Sequence, residues 1–137
     1  MGQTDLSRCF GCGKDNPRGL HLVKRTEGNK AVIELLIEKD LCGFPGILHG
    51  GITFTVLDEV MCYAILDHKV VAVTLSVTID YISPGKVGHN LRVEGWVEKV
   101  DGKYIEVASV ATDINTGKCV AKAHGSYKAV DLEKFAA

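Results

Sequence analysis

The stretch PGILHGGITFTVLDEVMCYAIL, residues 45–66, restricts the fold more than any other part of the chain. From Gly50 to about residue 67 it reads as a helix with almost no polar face. Ile52, Phe54, Val56, Leu57, Val60, Met61, Tyr63, Ile65 and Leu66 fall on all sides of a helical projection. A helix that is apolar all round is covered all round, so the remaining chain has to wrap it. Two features sit awkwardly in such a helix. Asp58 and Glu59 lie in its middle, and a buried carboxylate costs several kcal/mol unless it is paired, solvated or protonated. The helix also opens with His49-Gly50-Gly51. First-turn N–H groups have no intrahelical acceptor and carry partial positive charge. Glycines leave that end open to a ligand, which suits a polarised carbonyl or a developing oxyanion.

What wraps the helix is a set of strands. LHLVKRTEGNKAVIELLIEKD reads as two strands with a turn at Glu27-Gly28-Asn29-Lys30. HKVVAVTLSVTIDYIS alternates, with Val71, Val73, Leu75, Val77, Ile79 and Tyr81 on one face and Thr74, Ser76, Thr78 and Asp80 on the other. LRVEGWVEKV and YIEVASVATDI are strands joined by Asp101-Gly102, a strong hairpin signal. KCVAKAHGSYKAV is the last strand, and DLEKFAA is a fraying end or short helix. The order is two strands, one helix, four strands. The reading is a single 1–137 domain with an irregular N-terminal arm over residues 1–18. One helix covers only one sheet face, and Trp96 and Val110 lie on the other. Oligomerisation accounts for that face and for the sheet edges.

Composition narrows the function. A net charge of −1 gives no electrostatic case for nucleic-acid binding. MGQTDLSRCFGCG lacks a basic start followed by an apolar run, and no apolar stretch is long enough to cross a membrane. Five cysteines and no secretion signal point to reduced thiols and a cytoplasmic protein.

The spacing of the two polar features decides how they work together. Asp58 is eight residues beyond Gly50, roughly 12 Å along a helix axis. One small carbonyl does not reach both groups of one chain. If both act on one bond, a second chain supplies one of them, from a helix running antiparallel.

HGGITFTVLDE, with an acid nine residues after the His, resembles the hotdog-fold acyl-CoA thioesterases of the PaaI-like, 4-hydroxybenzoyl-CoA thioesterase-related group. VTIDYISPGKVG is similar to that group's strand closing in Tyr-x-Ser/Arg-Pro and a Gly turn. CFGCGKDNPRGLHL resembles the N-terminal segment of one bacterial and archaeal branch. The resemblance implies an α+β hotdog fold, an antiparallel sheet of five to six strands wrapped around one central helix. It implies hydrolysis of an acyl- or aryl-CoA thioester to free acid and CoA, in a homodimer or a dimer-of-dimers tetramer. In that scheme the Gly50 N–H polarises the carbonyl, and Asp58 of the facing chain is general base or nucleophile. His49 shapes the helix start. Gly51, Thr74, Ser83 and Lys86 are substrate-binding positions, the last two toward the CoA phosphates. The alternative is a non-catalytic acyl-CoA-binding or regulatory protein on the same scaffold. Its support is the loop Leu41-Cys42-Gly43, which lacks the amide side chain often found before the motif. A dehydratase is a third possibility. No cofactor is implied, because CoA belongs to the substrate.

Among the remaining signals, Cys9-x-x-Cys12 has zinc-ligand spacing but only one such pair exists. Cys42 and His21 are not at a recognisable spacing to complete it. No metal site is expected on that ground. His21, His68, His89 and His124 are scattered and read as surface or strand residues. Spacing along the helix favours Asp58 over Glu59, because Asp58 shares a stripe with Gly51, Thr55, Cys62 and Ile65. Glu59 has no assigned role.

Overall fold

The computed structural model describes residues 5–131, so the tail segment beyond Asp131 lies outside the described residues. Six strands and one long helix follow in the expected order. They are β1 (Lys24–Glu27), β2 (Lys30–Leu36), α1 (Gly50–Leu66), β3 (Ala72–Tyr81), β4 (Asn90–Asp101), β5 (Tyr104–Asp113) and β6 (Cys119–Ala129). All strand pairs are antiparallel, in the order β1-β2-β4-β5-β6-β3. The strand following the helix therefore lies at the far edge, beside the last strand. This is the hotdog fold: one antiparallel sheet curved around one helix.

The all-round apolar helix is accounted for by what covers it. Val56, Leu57, Val60, Met61 and Ile65 are fully buried against Ile33, Val93, Val107 and Ala121 of the concave sheet face. Gly95 of β4 makes the closest approach possible: a Cβ there would stand 2.8 Å from the Val60 carbonyl oxygen. The helix ends at Leu66. Beyond it Asp67 is held by Lys24 and by the Thr26 hydroxyl at 3.1 Å, which ties the helix end to β1.

Two expectations need correction. The first strand does not begin at Leu20. The Leu20 and Leu22 N–H groups donate to the Phe10 and Gly11 carbonyls, and His21 between them has φ +52°. That segment is spent holding the arm, and only Lys24–Glu27 joins the sheet. Among the described residues the arm has no helix or strand but is closely tied: Cys9 N–H donates to Leu6 O, Gly13 N–H to Cys9 O, and Asn16 Nδ2 to Arg8 O.

The second correction concerns β3. Its pairing with β6 shifts between Thr74 and Ser76, leaving Leu75 as a bulge. Thr74 pairs with Tyr127, while Val77, Ile79 and Tyr81 pair with Gly125, Ala123 and Ala121. Cross-strand partners share a face, so Thr74 joins Val77, Ile79 and Tyr81 on the helix side. Ser76, Thr78 and Asp80 stay on the outer face. The strict alternation expected for this strand is broken at one residue, and the break re-aims the threonine.

The outer sheet face is less apolar than Trp96 and Val110 suggest. Lys30 Nζ stands 5.2 Å from the Trp96 ring centroid. Arg25 and Arg92 bridge Glu27 and Glu34 across β1, β2 and β4.

Candidate active site

The helix start is built by His49. Its Nδ1 accepts the Gly51 N–H at 2.9 Å, and its carbonyl accepts from the Thr53 N–H and hydroxyl. A side-chain acceptor at this position satisfies one of the unpaired first-turn donors. Gly51 makes the cap possible, since a Cβ there would press on the His49 ring at 3.1 Å. Gly50 is different: a Cβ would meet only ordinary contacts, the nearest being Tyr81 at 3.7 Å. The Gly50 carbonyl accepts the Tyr81 hydroxyl at 2.7 Å. The Gly50 N–H finds no acceptor among the described residues.

A cleft of about 770 Å³ opens beside this helix end. Phe44, Ile47, Tyr81, Ile82 and Val120 give it an apolar lining around His49 and Gly50. Phe44 is 81% exposed on its rim. The loop carrying Cys42 and Gly43 folds back as a short bridge to Leu48, and Gly43 packs on the His49 ring. Ser83 lines the cleft, but its hydroxyl donates to the Cys119 carbonyl at 2.6 Å and so braces the turn after β3. Lys86 lies outside the main cleft. It lines an adjoining 180 Å³ hollow with Lys118 and Thr116.

Asp58 is held at the middle of the helix, about two turns from this end. Its Oδ1 accepts two hydroxyls, Tyr127 at 2.7 Å and Thr74 at 3.0 Å. Oδ2 has no hydrogen-bond partner among the described residues. Burial, followed by the charge of Asp58, pushes the Tyr127 phenol above its ordinary range, so it stays protonated and donates. The ring is fully buried and lies back over Gly125, where a Cβ would stand 2.6 Å from it. Cys62, one turn on from Asp58, is pushed up to about 12 by burial and by the two neighbouring carboxylates, and remains a thiol.

The predicted residues thus fall into two groups. His49, Gly50, Gly51 and Ser83 gather at the cleft, with Lys86 next to it. Asp58 and Thr74 meet at the β3 edge, eight residues further along the helix, roughly 12 Å away. Tyr127 and Tyr81, one at each centre, were not anticipated. A tyrosine in a buried strand needs a partner for its hydroxyl, which was the available signal for Tyr127. Glu59 points elsewhere. It packs under the N-terminal arm with Cys9 and Cys12, and burial, then Asp58, raises its pKa.

Solved structures of the same shape confirm the architecture. PaaI of E. coli, from the phenylacetic acid degradation operon, superposes with a TM-score of 0.76 at 21% identity, over 82% of this chain and 81% of that one. A hypothetical thioesterase from Streptococcus pneumoniae, solved with coenzyme A, gives 0.74 at 20% identity, over 80% and 88%. With the sheet and central helix described above, they place the chain in the hotdog class. The sequence goes further. Human acyl-coenzyme A thioesterase 13 is 32% identical over 96 residues, 68% of this chain and 68% of that protein. The family model described as the thioesterase superfamily matches residues 45–120, from the loop before His49 to β6. The chain belongs to the thioesterase superfamily and is a thioester hydrolase. No helix among the described residues is long and apolar enough to cross a membrane.

Proposed function

We propose that this protein hydrolyses an acyl-CoA thioester, at a site shared between two antiparallel copies of α1. The observation that carries the reading is the pair of unclaimed groups on one helix: the Gly50 N–H at its start and Asp58 Oδ2 eight residues on. The Gly50 N–H of one chain hydrogen-bonds the thioester carbonyl as its oxygen gains charge. Asp58 of the partner takes a proton from water as the water adds to the carbonyl, or attacks the carbonyl directly. The C–S bond breaks and the CoA thiolate leaves and is protonated; the acid is released at once in the general-base route, or after water hydrolyses the Asp58 mixed anhydride in the direct-attack route. Thr74 and Tyr127 hold Asp58 in orientation. The apolar cleft at Gly50 takes an apolar part of the substrate, and Lys86 with Lys118 faces the CoA phosphates. Coenzyme A in the S. pneumoniae structure and the activity named for the human relative support this substrate class.

A panel of short, medium and aryl acyl-CoAs with free-thiol detection tests the activity, and Asp58→Asn tests the acid. The shared site has its own test. Gly50 is the first helical residue and His49 before it has φ −59° and ψ 133°, a conformation that tolerates a following proline. Gly50→Pro therefore removes the N–H and keeps the helix. Each variant alone is inactive. A heterodimer of Asp58→Asn with Gly50→Pro has one of its two sites intact if Gly50 and Asp58 come from different chains. No recovery on mixing overturns the two-chain site.

The loop Leu41-Cys42-Gly43, with no amide side chain near His49, favours one alternative: acyl-CoA binding without turnover. Tight binding with no thiol release across the panel identifies it.

A further inference from the structure

The sequence pair Cys9-x-x-Cys12 lacked further ligands by spacing, and Glu59 lacked a role. The fold answers both at once. A donor atom of Cys9, of Cys12 and of Glu59 lie within 4.8 Å of one another. The three sit on a 180 Å³ cavity with Leu6, Cys62 and Tyr63, separate from the cleft at Gly50.

Three further observations indicate that the chain is shaped to bring these donors together. The loop returns so tightly that a Cβ on Gly13 would collide with Ser7 O and with the Cys9 backbone, and this return sets Cys12 beside Cys9. A Cβ on Gly11, between the cysteines, would collide with the Glu59 carboxyl group. Glycine at position 13 is thus required by backbone contact, and glycine at 11 leaves room for the Glu59 carboxyl group beside the cysteines. The Glu59 carboxylate, in turn, has no hydrogen bond and no ion pair among the described residues, although it is half-buried under the arm. A carboxylate in that setting is costly without a cation, and Lys24, which stands over the Tyr63 ring, is engaged by Asp67.

We propose that Cys9, Cys12 and Glu59 bind a divalent cation of the zinc class, with a fourth position open toward the cavity. Two thiolates and one carboxylate suit zinc rather than a harder ion. Tetrahedral zinc with Zn–S of about 2.3 Å and Zn–O of about 2.0 Å needs S···S near 3.8 Å and S···O near 3.5 Å. With all donors within 4.8 Å, the S···S separation exceeds that arrangement by at most about 1 Å and each S···O separation by at most about 1.3 Å. Tyr63 lines the same cavity as Cys12, where a hydroxyl can serve as an outer-shell donor to a metal ligand. The ion fastens the N-terminal arm to α1 at the residue after Asp58, so it fixes the helix on the side away from Tyr127.

The test uses the full-length chain, reduced and stripped of metal. Titration with Co²⁺ is expected to give one ion per chain, a thiolate-to-cobalt charge-transfer band and intense visible bands of tetrahedral geometry. Zn²⁺ displaces it. Glu59→Gln keeps both thiols and a neutral isostere, and weakens Co²⁺ by more than about 100-fold, since loss of even an outer-shell partner costs 10–100-fold. Cys9→Ser with Cys12→Ser abolishes the charge-transfer band. Tryptic cleavage at Arg8, Lys14 and Arg18 slows on adding Zn²⁺ in the wild type and not in Glu59→Gln. A reduced wild-type chain that binds no Co²⁺, or a Glu59→Gln variant that binds it as tightly as wild type, overturns the site. Neither outcome bears on thioester hydrolysis, which is read separately.

Discussion

Replacing Tyr127 with Phe isolates the contact that orients the proposed reacting carboxylate. The change removes one oxygen from a fully buried ring and leaves its packing over Gly125 intact. It deletes the 2.7 Å bond to Asp58 Oδ1, while the 3.0 Å bond from Thr74 remains. Hydrogen bonds to charged groups contribute about 1.5–3 kcal/mol. Asp58 is only half-buried and keeps one donor, so the lower half of that range applies to stability, about 1.5–2 kcal/mol. The same freedom given to the carboxylate costs catalysis. At about 1.4 kcal/mol per factor of ten, kcat falls on the order of 10-fold in Tyr127→Phe, with KM nearly unchanged because the residue does not face the cleft. Thr74→Val, which preserves shape, gives a similar or smaller loss. The double variant loses more than the product of the two, because the last donor has then gone and Asp58 rotates freely. Steady-state kinetics on the best substrate of the panel, with urea unfolding of each variant, supply both readings. A kcat within about 2-fold of wild type in the double variant, alongside inactivity of Asp58→Asn, refutes the idea that these hydroxyls set the working orientation.

Gly51→Ala presses a methyl group on the His49 ring; the cap weakens, stability falls by about 1 kcal/mol, and His49→Ala shows the same loss without adding to it in the double variant. Gly95→Ala places a Cβ 2.8 Å from the Val60 carbonyl oxygen, pushes the helix off β4 and costs about 1–3 kcal/mol by urea unfolding. Asp113 contributes to the acid limb. Burial works against its charge, but His89 at 2.7 Å and the Asn115 and Thr116 amides outweigh it and hold the carboxyl below the usual range. A depressed folded pKa gives stability that is present above the unfolded value, near 3.9, and lost as pH falls through the folded one. Thermal unfolding of Asp113→Asn should therefore lose stability at pH 7 and show a flatter decline below about pH 4 than wild type.

Much of the fold could be read in advance because its elements are locally determined. The helix was recognised by apolar residues on all sides, the β4–β5 hairpin by Asp101-Gly102, and the β1–β2 turn by Gly28, which indeed has φ +63°. What local pattern does not contain is a shift of register. Residues 71–81 alternate cleanly on paper, and the pattern puts Thr74 with Ser76, Thr78 and Asp80. The bulge at Leu75 is dictated by β6, where Tyr127 must face the helix and Gly125, Ala123 and Ala121 must follow beneath β3. No window around Thr74 reveals that constraint, because it comes from a strand some fifty residues away.

The same limit explains why the two halves of the helix were unequally legible. His49-Gly50-Gly51 is contiguous, and a helix start is built from its own sequence: the cap, the missing Cβ and the open N–H all lie within three residues. Asp58 was found by spacing, but what holds it comes from β3 and β6, and what lies beside Glu59 comes from the N-terminal arm. Adjacent carboxylates on an α-helix point about 100° apart. Here that angle separates two settings, one of hydroxyl donors at the sheet edge and one of thiols under the arm. The burial problem posed by Asp58-Glu59 therefore has two different solutions, each supplied by distant chain, and each residue's chemistry follows from its surroundings rather than from their shared sequence position.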